Sequence, residues 1–349
     1  MASNFLRAIR FLRNFLLAGE KAIEQEGGWQ RIWPFGNPAP LSFLARFNIP
    51  GYSESFTYEL SWRPHPQNKA MVGLIAERLS LGTGTIFDRA DDNWIKWPGE
   101  STKPQTQQRI YLNSFPTLSE AVLAYTAWTS GIGWHDFPTN VFTQKVSQKG
   151  GNDTRLQGLE DAASNYLEVI REITQDLRDQ RSRRQILARI KQINPSVSSM
   201  ELDSITQPTR VVVAHNVGDN RIGLSLGQES DGFRRYYAHL LALYQTPPKQ
   251  VLMFEEPENG IYPGALRNLA EEFKAAPSAA RGQVLLTTQS PDLLDGFEPE
   301  SFRVVELDSK QTTKIGPLDN DQLKAVKDQL LQPGELLTVD SARAQSVST

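Results

Sequence analysis

Apolar and polar positions follow three rhythms along the chain. Over the first 26 residues Phe5, Ile9, Leu12 and Leu16 recur at spacings of four and three, with Arg7, Arg10 and Arg13 between them. That period predicts a helix, ended by Gly27-Gly28. The arginines interrupt any unbroken apolar core of a secretory signal, whereas an organellar transit peptide stays open, because no acid occurs before Glu20. From about Phe43 to Trp97 the rhythm is that of short strands. Phe56–Trp62 alternates, Val72–Leu81 is a longer mixed run, and Ile86-Phe87 and Trp94–Trp97 are brief. Asn, Asp, Gly and Pro clusters separate them, so the span predicts an antiparallel sheet or meander. Residues 98–109 are polar and predict a loop.

A helical region comes next. Leu118–Trp128 is one candidate. Another is Leu159–Leu177, with Leu159, Ala163, Tyr166, Ile170, Ile173 and Leu177 on one face. A third carries Ile186, Leu187, Ile190 and Ile193 and is closed by Pro195. The basic knot Arg178–Arg184 reads as a solvated helix end in preference to a nucleic-acid contact. The last third alternates strand and helix: strands at 211–214, 251–254, 283–287 and 302–306, helices at 233–244 and 263–273. This spacing implies a largely parallel sheet. A short helix after Asp321 runs to about Leu331, and the final dozen residues predict a flexible end.

The totals narrow the picture. A chain of 349 residues with 39% hydrophobic and 22% charged positions is that of a globular protein. Net charge is −3, so no global field draws it to DNA or membrane. No cysteine is present, which removes disulfides, thiolate metal sites and a cysteine nucleophile, and fits a cytoplasmic setting. The four histidines lack ligand spacing, and no apolar run approaches the ~18 residues of a membrane helix.

The candidate chemistry centres on Val251–Pro263, a buried-strand run that ends in Glu255-Glu256-Pro257. Open α/β sheets place ligands at that edge. Adjacent carboxylates on a strand point to opposite faces, so one can reach a hydrated Mg²⁺ while the other orients or deprotonates a water. A solvated acidic turn is the bland alternative. Upstream, Ser230-Asp231-Gly232 opens a helix and offers a hydroxyl and free N–H groups to a phosphate, or serves merely as an N-cap. Leu224–Gln228 imitates a transport-ATPase signature in letters, but Ser230, not Ser225, leads into the helix. Downstream, the strand Val284–Thr287 ends in Thr288-Gln289-Ser290, where a polar side chain could touch a terminal phosphate.

In this order and spacing the three segments resemble the carboxyl-terminal half of RecF/SMC-like (ABC-type) ATPases of the AAA-type-core family. Those carry a Ser-Asp-Gly signature, a strand ending Glu-Glu-Pro-Glu-x-Gly-x-His-Pro and a Thr-His-Ser-Pro-x-Leu-Leu switch; the counterparts are Ser230–Gly232, Glu255–Pro263 and Thr288–Leu294. The resemblance implies an α/β, P-loop NTPase-like fold of the ABC-ATPase head type. It would have a mostly parallel core sheet, an antiparallel β subdomain and a helical insert. It divides a single ATPase domain into an N-terminal lobe at 1–97, an insert at 98–205, a C-terminal lobe at 206–335 and a flexible tail at 336–349.

The resemblance also assigns ATP and Mg²⁺. Glu255 would hold the metal shell through water, and Glu256 would polarise the attacking water. Ser230, Asp231 and Gly232 would meet the γ-phosphate bound on a second protomer, making a homodimer with a composite site. Gly260-Ile261-Tyr262 would cross between protomers. Gln289 stands at the usual switch histidine and Tyr262 at another usual histidine. DNA is implied by family analogy alone.

No Gly-x-x-x-x-Gly-Lys-Ser/Thr loop occurs in the chain. Ser3-Asn4-Phe5-Leu6 resembles the residues that come directly after the loop's lysine, which would make Ser3 a phosphate and Mg²⁺ contact. The expectation is therefore an N-terminally truncated relative or a misassigned start, either an ATPase with weak or no turnover in this form or an inactive binding or scaffold module. About 40 residues lie beyond the last core strand, too few for an appended nuclease domain.

Overall fold

The computed structural model describes residues 2–32, 39–64, 72–90, 93–97, 112, 118–143, 158–175, 180–203, 205, 208–308 and 312–345. It divides into two compact units, one of Arg7–Ile132 and one of Met1–Leu6 with Gly133–Thr349. Loop residues 98–109 and Leu177 fall outside the described residues.

The first unit combines α1 (Ala2–Ala18) from Arg7 onward, α2 (Glu20–Gln25), α3 (Trp29–Ile32) and a sheet of β1 (Leu41–Phe47), β2 (Phe56–Pro64), β3 (Val72–Leu81), β4 (Gly84–Ala90) and β5 (Asn93–Lys96). The strands lie in chain order and pair antiparallel, so the expected meander forms. The apolar stripe of α1 lies on it: Phe15 stacks on Trp62 at 4.8 Å, and Phe43 stacks on the same ring at 5.5 Å. The opening helix is not continuous to residue 26. Gly19 adopts φ 58, a conformation side chains resist, and the chain restarts as α2. Gly82-Thr83 is the two-residue turn joining β3 to β4. Helix α4 (Ser119–Thr129) closes the unit, with Trp128 edge-on to Phe47 at 5.8 Å.

In the second unit β6 (Ile132–His135) precedes α5 (Tyr166–Gln175), α6 (Gln180–Ile193), β7 (Val197–Asp203), β8 (Arg210–Val217) and β9 (Asn220–Ser225). Then come α7 (Asp231–Tyr244), β10 (Val251–Glu255), α8 (Pro263–Ser278), β11 (Gln283–Thr287) and α9 (Pro291–Leu294). The unit closes with β12 (Arg303–Leu307), β13 (Thr313–Pro317), α10 (Asn320–Lys327) and α11 (Glu335–Thr338). Strand β10 is central in the order β11-β10-β6 and pairs parallel with β11, Glu255 opposite Thr287. Its Leu252, Met253 and Phe254 are fully buried, as a continuous apolar run on a covered strand requires. Helix α7 is apolar on most of its circumference and is buried from Tyr236 to Tyr244, packed by α5, α6 and α8. Glu272 of α8, wholly buried, accepts from Tyr244 Oη at 2.7 Å and pairs with Arg189 at 2.5 Å and Arg281 at 2.9 Å.

Four expectations are corrected here. The helix expected from Leu159 starts only at Tyr166, because Ala163 sits at φ 57 in a turn; Leu159 and Ala163 still reach the core through that turn. Strand β8, expected to end at Ala214, runs on to Val217 and turns at Gly218 (φ 59) into a hairpin with β9, and β7 pairs on its other side. Strand β12 pairs antiparallel with β13 in a two-stranded sheet of its own and does not extend the parallel pair of β10 and β11: its backbone groups are taken by the strand next to it in sequence. The tail is bound as far as Gln345: Gln322 Nε2 donates to Asp340 Oδ2 at 2.9 Å, Arg343 N donates to Gln322 Oε1 at 2.8 Å, and Gln345 N donates to Pro317 O at 2.9 Å. Among the described residues no helix is long and apolar enough to cross a membrane.

Candidate nucleotide site at the β10–β11 edge

The parallel register brings the ends of β10 and β11 side by side. Past Glu255 the chain must leave the sheet, and Glu256 does so at φ 44, an uncommon conformation for a residue with a side chain. Its N–H donates to Thr287 O at 3.0 Å, so the turn is tied to β11. The carboxylate is held from both sides: Gln289 Nε2 donates to Oε1 at 2.7 Å and Asn259 Nδ2 donates to Oε2 at 3.0 Å. Glu258 fixes the neighbouring strand end, with Oε1 accepting from Thr288 Oγ1 at 2.8 Å and from Gln289 N at 2.9 Å. Its Oε2 is buried without a hydrogen bond.

The start of α7 is joined to the same loop. Ser230 is the N-cap and accepts from Phe233 N at 3.3 Å, as the turn chemistry requires. Asp231 is engaged inside the turn by Arg234 Nη2 at 2.5 Å, and Arg234 also reaches Thr139 O at 2.9 Å. Arg235 Nη1 donates to Asn259 O, so one asparagine carries both the helix start and the Glu256 carboxylate. Burial lowers the Arg235 pKa, opposed by Asp136 and Asp231. Gly232 is required by packing, since a Cβ there would lie 2.9 Å from Gly260 O. Beneath the site His239 donates from Nδ1 to Arg235 O at 2.7 Å, and burial, reinforced by His135 and Arg235, depresses its pKa to about 3 against the opposing hydrogen bond. It is therefore neutral at ordinary pH.

Of the sequence-derived candidates, the structure brings Glu255, Glu256 and Gln289 to one sheet edge, and ties Ser230, Asp231 and Gly232 to its loop. Tyr262 is the N-cap residue of α8 and is 77% exposed. Ser3 lies half-buried in the first turn of α1 and makes no hydrogen bond to either glutamate among the described residues. Asn259, Glu258 and Arg235 were missed. The first two lie in the Glu-Glu-Pro-Glu-Asn run itself and carried a visible signal; Arg235 carried none.

Among the described residues no three His, Cys, Asp or Glu gather as a metal cage. The donors at the edge are hard oxygens, with Glu255 half-buried opposite Thr287. That set fits Mg²⁺, which binds through one or two carboxylates, waters and substrate phosphates and needs no full protein cage.

A family model described as "AAA domain, putative AbiEii toxin, Type IV TA system" matches residues 3–295. No curated protein matches. Among solved structures, a chain from work titled as the ATP-driven dimerization and DNA-stimulated activation of SMC ATPases is 12% identical, with a TM-score of 0.32 over 43% of this chain and 90% of that one. An Smc head bound to the C-winged helix domain of ScpA is 10% identical, with a TM-score of 0.38 over 78% of this chain and 76% of that one. The Smc head with coiled coil from Pyrococcus yayanosii is 10% identical at a TM-score of 0.31, and the match spans 34% of its length. With the family model matched over most of its length, the chain belongs to the AAA-domain family of that description, and so to the ATPase-like nucleotide-binding domains.

Proposed function

We propose that the chain is an ATP-hydrolysing domain of P-loop NTPase-like, ABC-head type, that its hydrolytic site is the β10–β11 edge, and that it works as a homodimer. The observation that carries the reading is the 2.7 Å hydrogen bond from Gln289 Nε2 to Glu256 Oε1, at a residue held at φ 44. A strained backbone costs about 1–3 kcal/mol and persists where the surroundings over-determine it, often at functional sites. Here Thr287, Asn259 and Gln289 all hold Glu256. Its carboxylate is then placed to accept a proton from, and so orient, a water at the nucleotide's terminal phosphate. Gln289 keeps that carboxylate aimed and can turn one N–H to the phosphate. Glu255 would hold Mg²⁺ through water, with the Ser3 hydroxyl as a further donor. Magnesium bound there would neutralise phosphate charge.

Ser230 and the N–H groups of Asp231 and Gly232 would meet the phosphate of a second copy, and exposed Tyr262 would lie in the same interface. The tie through Arg235 and Asn259 supports this, because it couples the Ser230 turn to Glu256 within each copy. The test is Mg·ATP-dependent dimerisation, monitored by sedimentation, of the chain preceded by a Gly-x-x-x-x-Gly-Lys loop. Ser230→Arg should abolish the dimer and leave nucleotide binding intact; a dimer that forms equally well would rule out the composite site.

A second reading is favoured by one observation: no Gly-x-x-x-x-Gly-Lys-Ser/Thr run occurs in the 349 residues. The loop's N–H groups and lysine make charge-assisted contacts worth about 1.5–3 kcal/mol each. In that reading the 349 residues act as a binding or scaffold module. Their own ATP turnover is then negligible, which a phosphate-release assay decides.

A further inference from the structure

Glu229, the residue before Ser230, carries a buried carboxylate. It is 8% exposed, and so is His215 of β8, whose Nε2 donates to Glu229 Oε1 at 2.7 Å. The other ring nitrogen, Nδ1, is hydrogen-bonded to Ser196 Oγ at 2.9 Å, in the turn between α6 and β7. Ser196 gives its hydroxyl hydrogen to Asn194 Oδ1 at 2.8 Å, and its N–H donates to the same oxygen at 3.3 Å. The order serine, histidine, carboxylate is that of a nucleophile, its base and the group that orients the base. The hydroxyl hydrogen is committed to Asn194, however, so Ser196 is an anchor here. The backbone of Glu229 is held as well: its N–H donates to Leu226 O at 3.2 Å, and its C=O accepts from Arg234 Nη1.

Helix capping does not ask for this chain of bonds. A serine cap needs only its own hydroxyl and an N–H of the first helical turn, with no tie on the residue before it. Nor does stability ask for it, since apolar residues of like volume in place of a buried polar pair are often neutral or stabilising. What the chain of bonds adds is one fixed position for the peptide that leads into Ser230. It also engages the carboxylate that flanks Ser230, a charge that would otherwise compete with a phosphate for the free N–H groups of the helix start.

We propose that His215 is a positioning residue for the Ser230 turn. Bridging Ser196 and Glu229, it sets where Ser230 and the N–H groups of Asp231 and Gly232 stand for the phosphate of a second copy. The role rests on the composite-site reading above, and His215 itself touches neither the nucleotide nor the reacting atoms.

The first arm of the test uses the 349-residue chain without nucleotide. Hydrogen exchange read by mass spectrometry compares the peptide over 226–236 with that over 263–278 of α8. His215→Phe/Glu229→Leu removes the link and leaves no buried charge unpaired. It should speed exchange in the first peptide about tenfold, as losing one hydrogen bond to a charged group implies, with α8 exchange and the melting temperature unchanged. Glu229→Gln keeps an acceptor for Nε2 and should exchange as wild type does. Ser196→Ala keeps the buried pair and should fall between, and it decides the matter if the double variant does not fold. The second arm uses the chain preceded by a Gly-x-x-x-x-Gly-Lys loop. There the double variant should need about tenfold more protein to dimerise with Mg·ATP, at unchanged nucleotide affinity, while Glu229→Gln dimerises as wild type does. A wild type that does not dimerise overturns the composite site and the phosphate role with it, while the exchange arm still decides whether His215 holds the turn. Equal exchange in wild type, Ser196→Ala and the double variant overturns the proposal. So does a loss spread over α8 with a lower melting temperature, or dimerisation of the double variant equal to that of wild type.

Discussion

Replacing Gly232 by Ala places a methyl group 2.9 Å from Gly260 O, with Ile261 Cα and Tyr262 N both at 3.8 Å. Every one of these atoms is backbone, so no rotamer relieves the contact. Overpacking of this kind costs about 1–3 kcal/mol. In the other direction, a Gly inside a helix is about 0.5–1 kcal/mol worse than Ala, so the substitution returns that much to α7. The balance is a loss of about 1 kcal/mol. Gly264→Ala, near the start of α8, is the informative contrast. Its Cβ would meet the Tyr262 ring, nearest at Cε1 at 2.5 Å, but that ring is 77% exposed and swings into solvent. Only the helix gain of about 0.5–1 kcal/mol then remains. Thermal and urea melts of the three proteins should therefore order Gly264→Ala above wild type above Gly232→Ala, with about 2–4 °C per kcal/mol. A Gly232→Ala protein as stable as Gly264→Ala would refute the packing of the Ser230 turn on the Gly260 loop.

The same geometry sets other outcomes. Glu272→Leu leaves Arg189 and Arg281 without their shared carboxylate and should cost about 3–5 kcal/mol, read by urea denaturation; a loss under 1 kcal/mol would show the cluster to be solvent-screened. His239 has a folded pKa of about 3 and an ordinary unfolded one near 6.5, so below pH 6.5 the unfolded chain takes up a proton that the folded one refuses. Its neutral form thus costs nothing above pH 6.5, and stability falls by up to about 1.4 kcal/mol per pH unit on the way down toward pH 3. His239→Phe should flatten that part of the stability profile between pH 6.5 and 4, and an unchanged slope would place the proton uptake elsewhere. Purified 349-residue protein should release phosphate from Mg·ATP no faster than buffer does; robust turnover would eliminate the scaffold reading.

Local chemistry was legible in the sequence wherever neighbours in the chain decide it. The apolar run at Val251–Phe254 reads as a covered strand and is one, and Ser230 reads as a helix cap and is one. The meander over β1 to β5 comes from alternation and turn residues. What periodicity does not carry is the pairing of groups far apart in the chain. Gln289 lies 33 residues from Glu256, Thr288 lies 30 from Glu258, and Arg235 reaches Asn259 across 24. Only the parallel register of β10 and β11 and the docking of α7 bring them together. The same limit explains Gly232, whose need for a missing Cβ comes from Gly260, 28 positions on. The opening helix failed for a local reason: the apolar period continues through Gly19, but that residue's φ of 58 interrupts the helix without disturbing the pattern.

The most direct test of the proposed hydrolytic role of the β10–β11 edge is single-turnover ATP hydrolysis by the chain preceded by a Gly-x-x-x-x-Gly-Lys loop, comparing wild type with Glu256→Gln at equal nucleotide occupancy. Loss of a positioned general base is expected to slow the chemical step by about 10²–10⁴-fold with ATP binding preserved. Equal single-turnover rates for the two proteins would contradict the role given to Glu256 and, with it, the site.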